Sequence, residues 1–137
     1  MEPARIDVFF YGLFMDAQAL RAMGLDPVDA RPARVRDKAL RIGKRAALVA
    51  SPPDVCHGVV MRLTPAEVER LYAEPSVAMY RPEPVTAELA TGSTVAAVCY
   101  NLPVAPAAEE TNPAYAGSLR ELARRLGLPQ SYIDTIR

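Results

Sequence analysis

The sequence predicts an α+β fold, a small mixed β-barrel or sheet with flanking helices, and three observations carry that reading. Apolar, β-branched and aromatic runs of strand length dominate the first hundred residues, whereas helical periodicity dominates the end. Glycines and prolines interrupt the strands at short intervals, which suits a sheet curled on itself. The chain is 137 residues long, the size of a single domain, so 1–137 is read as one unit.

Ile6 to Tyr11 is a buried strand that stops at the turn glycine Gly12. Asp16 can cap a short helix reaching about Met23, and Gly24 suits the left-handed position after it. Two strand pieces, Ala33 to Leu40 and Ala46 to Ala50, flank a basic turn from Arg41 to Arg45. Val55 to Leu63 is a further strand, and its exit is the strongest local signal in the chain. Thr64-Pro65-Ala66-Glu67 offers an N-cap threonine, proline at the first helical position and glutamate at the third. That is a capping box, with Leu63 and Val68 placed as a hydrophobic staple. The helix must end by about Ala73, because Pro75 lacks an amide hydrogen and restricts Glu74 to extended geometry.

Pro82 and Pro84 put the start of the next segment on a sheet edge or outside the ladder. Val85 to Leu89 alternates apolar and polar residues, and Thr91-Gly92-Ser93 turns the chain into a strand from Thr94 to Asn101. Pro103 to Thr111 is a surface connection. Asn112-Pro113 caps a helix whose Tyr115, Leu119, Leu122, Ala123 and Leu126 recur at helical spacing. Gly127 ends it, and Leu128-Pro129 opens a last short helix.

Composition narrows the function. Sixteen basic residues balance sixteen acidic ones, so no global field recruits nucleic acid or an anionic membrane. The basic stretch from Arg31 to Arg45 holds seven cations against Asp37 but no interleaved aromatics, and reads as solvated strand edges and turns. The N-terminus lacks the long apolar run of a signal or a span, so a cytoplasmic protein is expected. Cys56 and Cys99 form no CxxC pair, and with the lone His57 they do not make a zinc site; both read as buried thiols in a reducing compartment. Adjacent strand residues face opposite ways, so Cys56 and His57 do not cooperate. No metal and no cofactor is expected. The partner is a small molecule or a second copy of the chain, as a monomer or homodimer.

Four stretches, in order, resemble the gamma-glutamylcyclotransferase-like family. Val8 to Asp16 looks like its opening strand and Tyr-Gly turn. Gly58 to Glu67 is similar to its central strand and capped helix. Leu71-Tyr72-Ala73-Glu74 with Tyr80 to Val85 resembles the segment that carries its acid/base glutamate. Asn112 to Tyr115 with Leu126 to Ile133 looks like its C-terminal helices. The resemblance implies a small barrel with a pocket at one end. It also implies cyclisation of a gamma-glutamyl amide or amine to 5-oxoproline, with release of the amine.

That reaction needs a proton taken from the substrate's α-amino group and one given to the departing amine, and one carboxylate with a raised pKa can do both. The resemblance assigns this role to Glu74; Glu83, between two prolines, is expected to face solvent. Gly12 lets a ligand approach the backbone closely, so the turn Tyr11, Gly12, Leu13 and Phe14 can offer amide donors. Tyr80 and Tyr115 match aromatic positions that the family places beside the substrate, whereas Tyr100 is a weaker pocket candidate, since strand aromatics usually just pack. Leu13 and Phe14 replace the family's small hydroxyl residue and its neighbour, which removes a hydroxyl contact and makes the pocket more apolar. Pro75 stands where the family often has glycine, removing an amide beside Glu74. These departures suit an alternative reading, a binding protein that keeps the pocket without turnover. A third, an interaction module presenting a sheet edge, rests only on the proline-rich segments.

Overall fold

The computed structural model describes residues 4–137. Five strands close into a barrel in the order β1-β3-β2-β4-β5, where β1 is Ile6–Phe10, β2 Val28–Ile42, β3 Ala46–Leu63, β4 Arg81–Leu89 and β5 Thr94–Asn101. Every pairing is antiparallel except the closing one, where β1 meets β5 in parallel at Val8 and Val98. Four helices flank the barrel: α1 Ala17–Ala22, α2 Pro65–Leu71, α3 Pro113–Arg125 and α4 Gln130–Ile133. The α+β barrel expected from the strand and helix distribution is the fold observed.

The long hairpin of β2 and β3 is where the sequence misleads. The separate pieces at Ala33–Leu40 and Ala46–Ala50, with Val55–Leu63 beyond, are segments of two continuous strands of 15 and 18 residues. Pro52 and Pro53 broke the pattern on reading, because proline cannot donate to a ladder. The register shows why they are tolerated. Arg36 pairs with Val55 and Lys38 with Ala50, so residues 51–54 bulge opposite Asp37 alone, outside the ladder. The prolines of β4 find a similar solution. That strand pairs with β5 along its length but with β2 only at Glu88 and Leu89, so its Pro82–Pro84 end has one open side. The sheet-edge expectation holds there, although the strand starts at Arg81 rather than Val85.

The capping box of α2 is complete. The Glu67 amide donates to Thr64 Oγ1 at 3.2 Å, and the Thr64 amide donates to Glu67 Oε1 at 2.9 Å. Glu67 then reaches outward to the Asp26 amide at 2.6 Å and to Arg5 at 3.3 Å, tying the helix start to the connection before β2. Asp16 and Asn112 cap α1 and α3 as their sequence contexts suggest. Gly24 at φ 88° and Gly127 at φ 76° take the left-handed positions that follow the two helices.

The core lies inside the barrel and under α3. Phe9 on one face of the β1–β3 pair and Met61 and Leu63 on the other are fully buried, while Ala116, Leu119, Leu122 and Ala123 form the inner stripe of α3. Burying a side chain such as Leu119 contributes about 1.5–3 kcal/mol. Strand β3 crosses β1 so closely that a Cβ on Gly58 would sit 2.2 Å from the Phe10 carbonyl oxygen. Glycine is required there by space. Among the described residues no helix is long and apolar enough to cross a membrane.

Candidate functional site

A cavity of about 400 Å³ opens where β1 ends, within the range of small-molecule sites. Its floor is Phe10, Tyr11, Gly12, Leu13 and Phe14, the end of β1 and the 3-10 turn Leu13–Met15 that follows. Lys44, Arg45 and Ala46 enter from the β2–β3 turn, and Tyr72, Ser76, Val77 and Tyr80 from the loop between α2 and β4. Tyr100 of β5 and Tyr115 of α3 complete it. Six of the residues singled out in the sequence, Tyr11, Gly12, Leu13, Phe14, Tyr80 and Tyr115, thus share one cavity.

The tyrosines are held individually. The Tyr11 hydroxyl donates to the Tyr100 carbonyl at 2.8 Å and lies 3.3 Å from Asn101 Oδ1. The Tyr80 hydroxyl donates to the Ala46 carbonyl at 2.6 Å, and the Tyr115 hydroxyl oxygen accepts from the Leu13 amide at 3.3 Å. Tyr72 stacks on Tyr100 with ring centroids 4.0 Å apart and 13° between planes. Burial pushes the Tyr80 phenol up to about 12, and raises Tyr11, Tyr72 and Tyr115 above the ordinary phenol value as well. At neutral pH they are neutral hydrogen-bonding groups, not bases.

Gly12 belongs in this turn for a reason other than backbone freedom. Its φ of −111° is open to other residues, but a Cβ there would lie 2.6 Å from the Tyr115 hydroxyl oxygen. The glycine makes room for the phenol that holds the next amide. That amide is partly committed to Tyr115, so the turn offers fewer free donors than its sequence suggests.

Glu74 is not in the cavity wall. It lies in the loop after α2, exposed, with its carbonyl accepting from the Val77 amide at 3.0 Å. Ser76 and Val77, two and three residues on, do line the cavity. Glu83, expected in solvent, is half-buried, and its Oε2 accepts from Asn101 Nδ2 at 3.2 Å. Tyr100, the weaker pocket candidate, is part of the wall. Among the described residues no carboxylate lines the cavity, while two cations do.

Sequence reasoning missed Tyr72, Lys44 and Arg45. Tyr72 carried a usable signal, since it sits at the C-cap of α2 immediately before the segment in question. Lys44 and Arg45 carried none. They reach the site because the β2–β3 turn meets the α2–β4 loop, where Arg45 Nε donates to the Ser76 carbonyl at 2.8 Å. Elsewhere, the Cys56 and Cys99 thiols are buried, free and pushed up to about 12 by burial. Among the described residues no cluster of metal-ligating side chains occurs.

The sequence profile described as gamma-glutamyl cyclotransferase, AIG2-like, matches residues 8–120. The chain belongs to that family. The match runs from β1 through most of α3, and so includes every element that builds the cavity. A solved structure named "Gamma-glutamyl cyclotransferase" superposes with a TM-score of 0.80 at 20% identity, over 98% of this chain and 89% of that one. An uncharacterized protein of Homo sapiens gives 0.76 at 22%, over 97% and 88%. YkqA of Bacillus subtilis gives 0.76 at 22%, over 95% of this chain and 52% of that larger one. At these identities the likeness establishes the fold. No curated protein matches the sequence.

Proposed function

We propose that the protein is a cytoplasmic, cofactor-independent gamma-glutamylcyclotransferase, which converts a gamma-glutamyl amide or amine to 5-oxoproline and the free amine. The observation that supports this reading most is the cavity itself. The barrel ends here in a turn, Tyr11–Phe14, that forms the floor of a pocket large enough for a gamma-glutamyl conjugate. In the reaction the substrate's α-amino nitrogen loses a proton and attacks its own γ-carbonyl carbon. The new C–N bond closes the ring, the old one breaks, and the departing amine takes the proton. The turn amides and the Tyr115 hydroxyl face the glutamyl part and the charge that develops on its carbonyl oxygen.

Glu74 is the proposed carrier of that proton. Its carboxylate stands in solvent here, so the role requires the loop from Tyr72 to Tyr80 to turn it inward over bound substrate. A second reading, a binding protein without turnover, is favoured by one observation: no carboxylate among the described residues lines the cavity. Incubation with a panel of gamma-glutamyl amino acids and amines, assayed for 5-oxoproline, separates the two. Turnover that Glu74→Gln abolishes with unchanged urea unfolding supports the cyclotransferase with Glu74 as its base. Normal turnover by that variant removes Glu74 from the mechanism. Conjugates that bind but release no 5-oxoproline establish the binding protein.

A further inference from the structure

We propose that the conjugates accepted by this cavity carry an aromatic amino acid in the amine position, with that residue's free carboxylate held at the rim by Lys44 and Arg45. The inference rests on the gamma-glutamyl reading above and adds the class of the group attached to the glutamyl part.

The wall is made of rings more than of hydroxyls. Phe10 meets Phe14 edge-on at 6.4 Å, Phe14 meets Tyr72 edge-on at 6.0 Å, and Tyr72 stands 6.1 Å from Tyr80 and 4.0 Å from Tyr100. Such a chain of rings extends naturally by one more, edge-on or offset. Two of the wall's five tyrosine hydroxyls, those of Tyr11 and Tyr80, spend their protons on main-chain carbonyls, and Tyr115 accepts from Leu13. Leu13 and Phe14, also in the wall, add apolar surface.

The charge at the rim has one sign. Lys44 and Arg45 both line the cavity, and among the described residues neither is in an ion pair. Arg45 spends only its Nε, on the Ser76 carbonyl, and its terminal nitrogens have no protein acceptor among the described residues. The planar guanidinium matches a carboxylate geometrically as well as electrostatically. The cations come from the β2–β3 turn, a different element from the Gly12–Phe14 turn that faces the glutamyl part. The attached group must then supply its own anion, which an amino acid has and a simple amine lacks. A conjugate of a diamine would bring a second positive charge to a rim with no carboxylate among its described residues.

Isothermal titration calorimetry of the wild-type protein with three conjugates tests this without requiring turnover: gamma-glutamyl-phenylalanine, gamma-glutamyl-phenethylamine, which has the ring but no second carboxylate, and gamma-glutamyl-glycine, which has the carboxylate but no ring. The phenylalanine conjugate should bind at least about tenfold tighter than either. The exposed Lys44→Gln should narrow the ratio between the phenylalanine and phenethylamine conjugates several-fold, and raised salt should narrow it further. Equal affinities for the three, or a ratio untouched by Lys44→Gln, overturn the inference while leaving the gamma-glutamyl reading intact. Binding of none of them overturns both.

Discussion

The closest contact in the candidate site gives a test that needs no substrate. Replacing Gly12 with alanine puts a Cβ 2.6 Å from the Tyr115 hydroxyl oxygen, nearer than real Cβ atoms approach, so phenol or turn must shift. Overpacking of this kind costs about 1–3 kcal/mol. Tyr115→Phe loses the 3.3 Å hydrogen bond from the Leu13 amide, which costs about 0.5–1.5 kcal/mol. Independent effects would sum to about 1.5–4.5 kcal/mol in the double variant. The structure predicts otherwise. Without the hydroxyl, the next atom of residue 115 is Cζ at 3.9 Å, an ordinary contact, so the clash vanishes. The φ of −111° suits alanine, and losing glycine's freedom in the unfolded chain returns about 0.4–1 kcal/mol. Gly12→Ala/Tyr115→Phe should therefore be at least as stable as Tyr115→Phe alone, with a coupling energy of about 1–3 kcal/mol. Urea unfolding of the four proteins measures it, provided the m-value stays constant. Additive costs would mean that Tyr115 does not stand over Gly12, and the geometry given to the cavity floor would be wrong.

Asn101 is buried and bonds both the amide and the carbonyl of Leu48 at 2.9 Å, so Asn101→Ala strands two buried groups and should cost about 2–5 kcal/mol in urea unfolding; under about 1 kcal/mol would refute the network. Burial disfavours the charged form of Glu67, but the amides of Thr64 and Asp26, the Thr64 hydroxyl and Arg5 outweigh it and lower its pKa. Its contribution is thus present above the unfolded value of about 4.3 and lost as pH falls through the lower folded value; stability followed from pH 6 to about pH 3 should fall less steeply in Glu67→Gln, and an unchanged slope counts against the linkage. Arg45→Ala removes the 2.8 Å bond to the Ser76 carbonyl, worth about 1 kcal/mol, so amide exchange in the α2–β4 loop should quicken on the order of fivefold while the barrel strands stay protected. Exchange unchanged in that loop would show that Arg45 does not restrain it.

Local chemistry was legible and long-range approach was not. Thr64, Pro65 and Glu67 declare the start of α2 because capping is settled within four residues. The Tyr11–Phe14 turn could be placed at a strand end, since the apolar run stops at Gly12. The continuity of β2 and β3 could not be seen, because Pro52 and Pro53 forbid a regular ladder and only the register shows them bulging out of it. Lys44 and Arg45 looked like solvent-facing turn residues, and in isolation they would be. Their place in the cavity depends on a hairpin tip meeting a loop about thirty residues later in the chain, which no local pattern encodes. Glu74 errs the other way. Pro75 limits its backbone but says nothing about which way its carboxylate faces.

The position of Glu74 and the bond made by Arg45 belong to one physical problem. The loop that carries Glu74 is closed by the Val77 amide on the Glu74 carbonyl and the Tyr80 amide on the Val77 carbonyl, and it is pinned to the barrel by Arg45 at Ser76 and, at its far end, by the Tyr80 hydroxyl on the Ala46 carbonyl. Its internal bonds can survive a rotation about the loop's ends; the Arg45 pin cannot. A carboxylate that meets Arg45 side-on, through Nε and one terminal nitrogen, competes for the bond to Ser76, and a charged acceptor outbids a neutral carbonyl. Ligand binding can thereby release the loop that holds the proposed proton carrier, using affinity for the anion to offset the roughly 1 kcal/mol held in the Arg45 pin. Conjugates that fail to engage the rim would leave the loop pinned and Glu74 in water. On this account anion recognition and turnover rise and fall together, and a conjugate without the second carboxylate should lose rate as well as affinity.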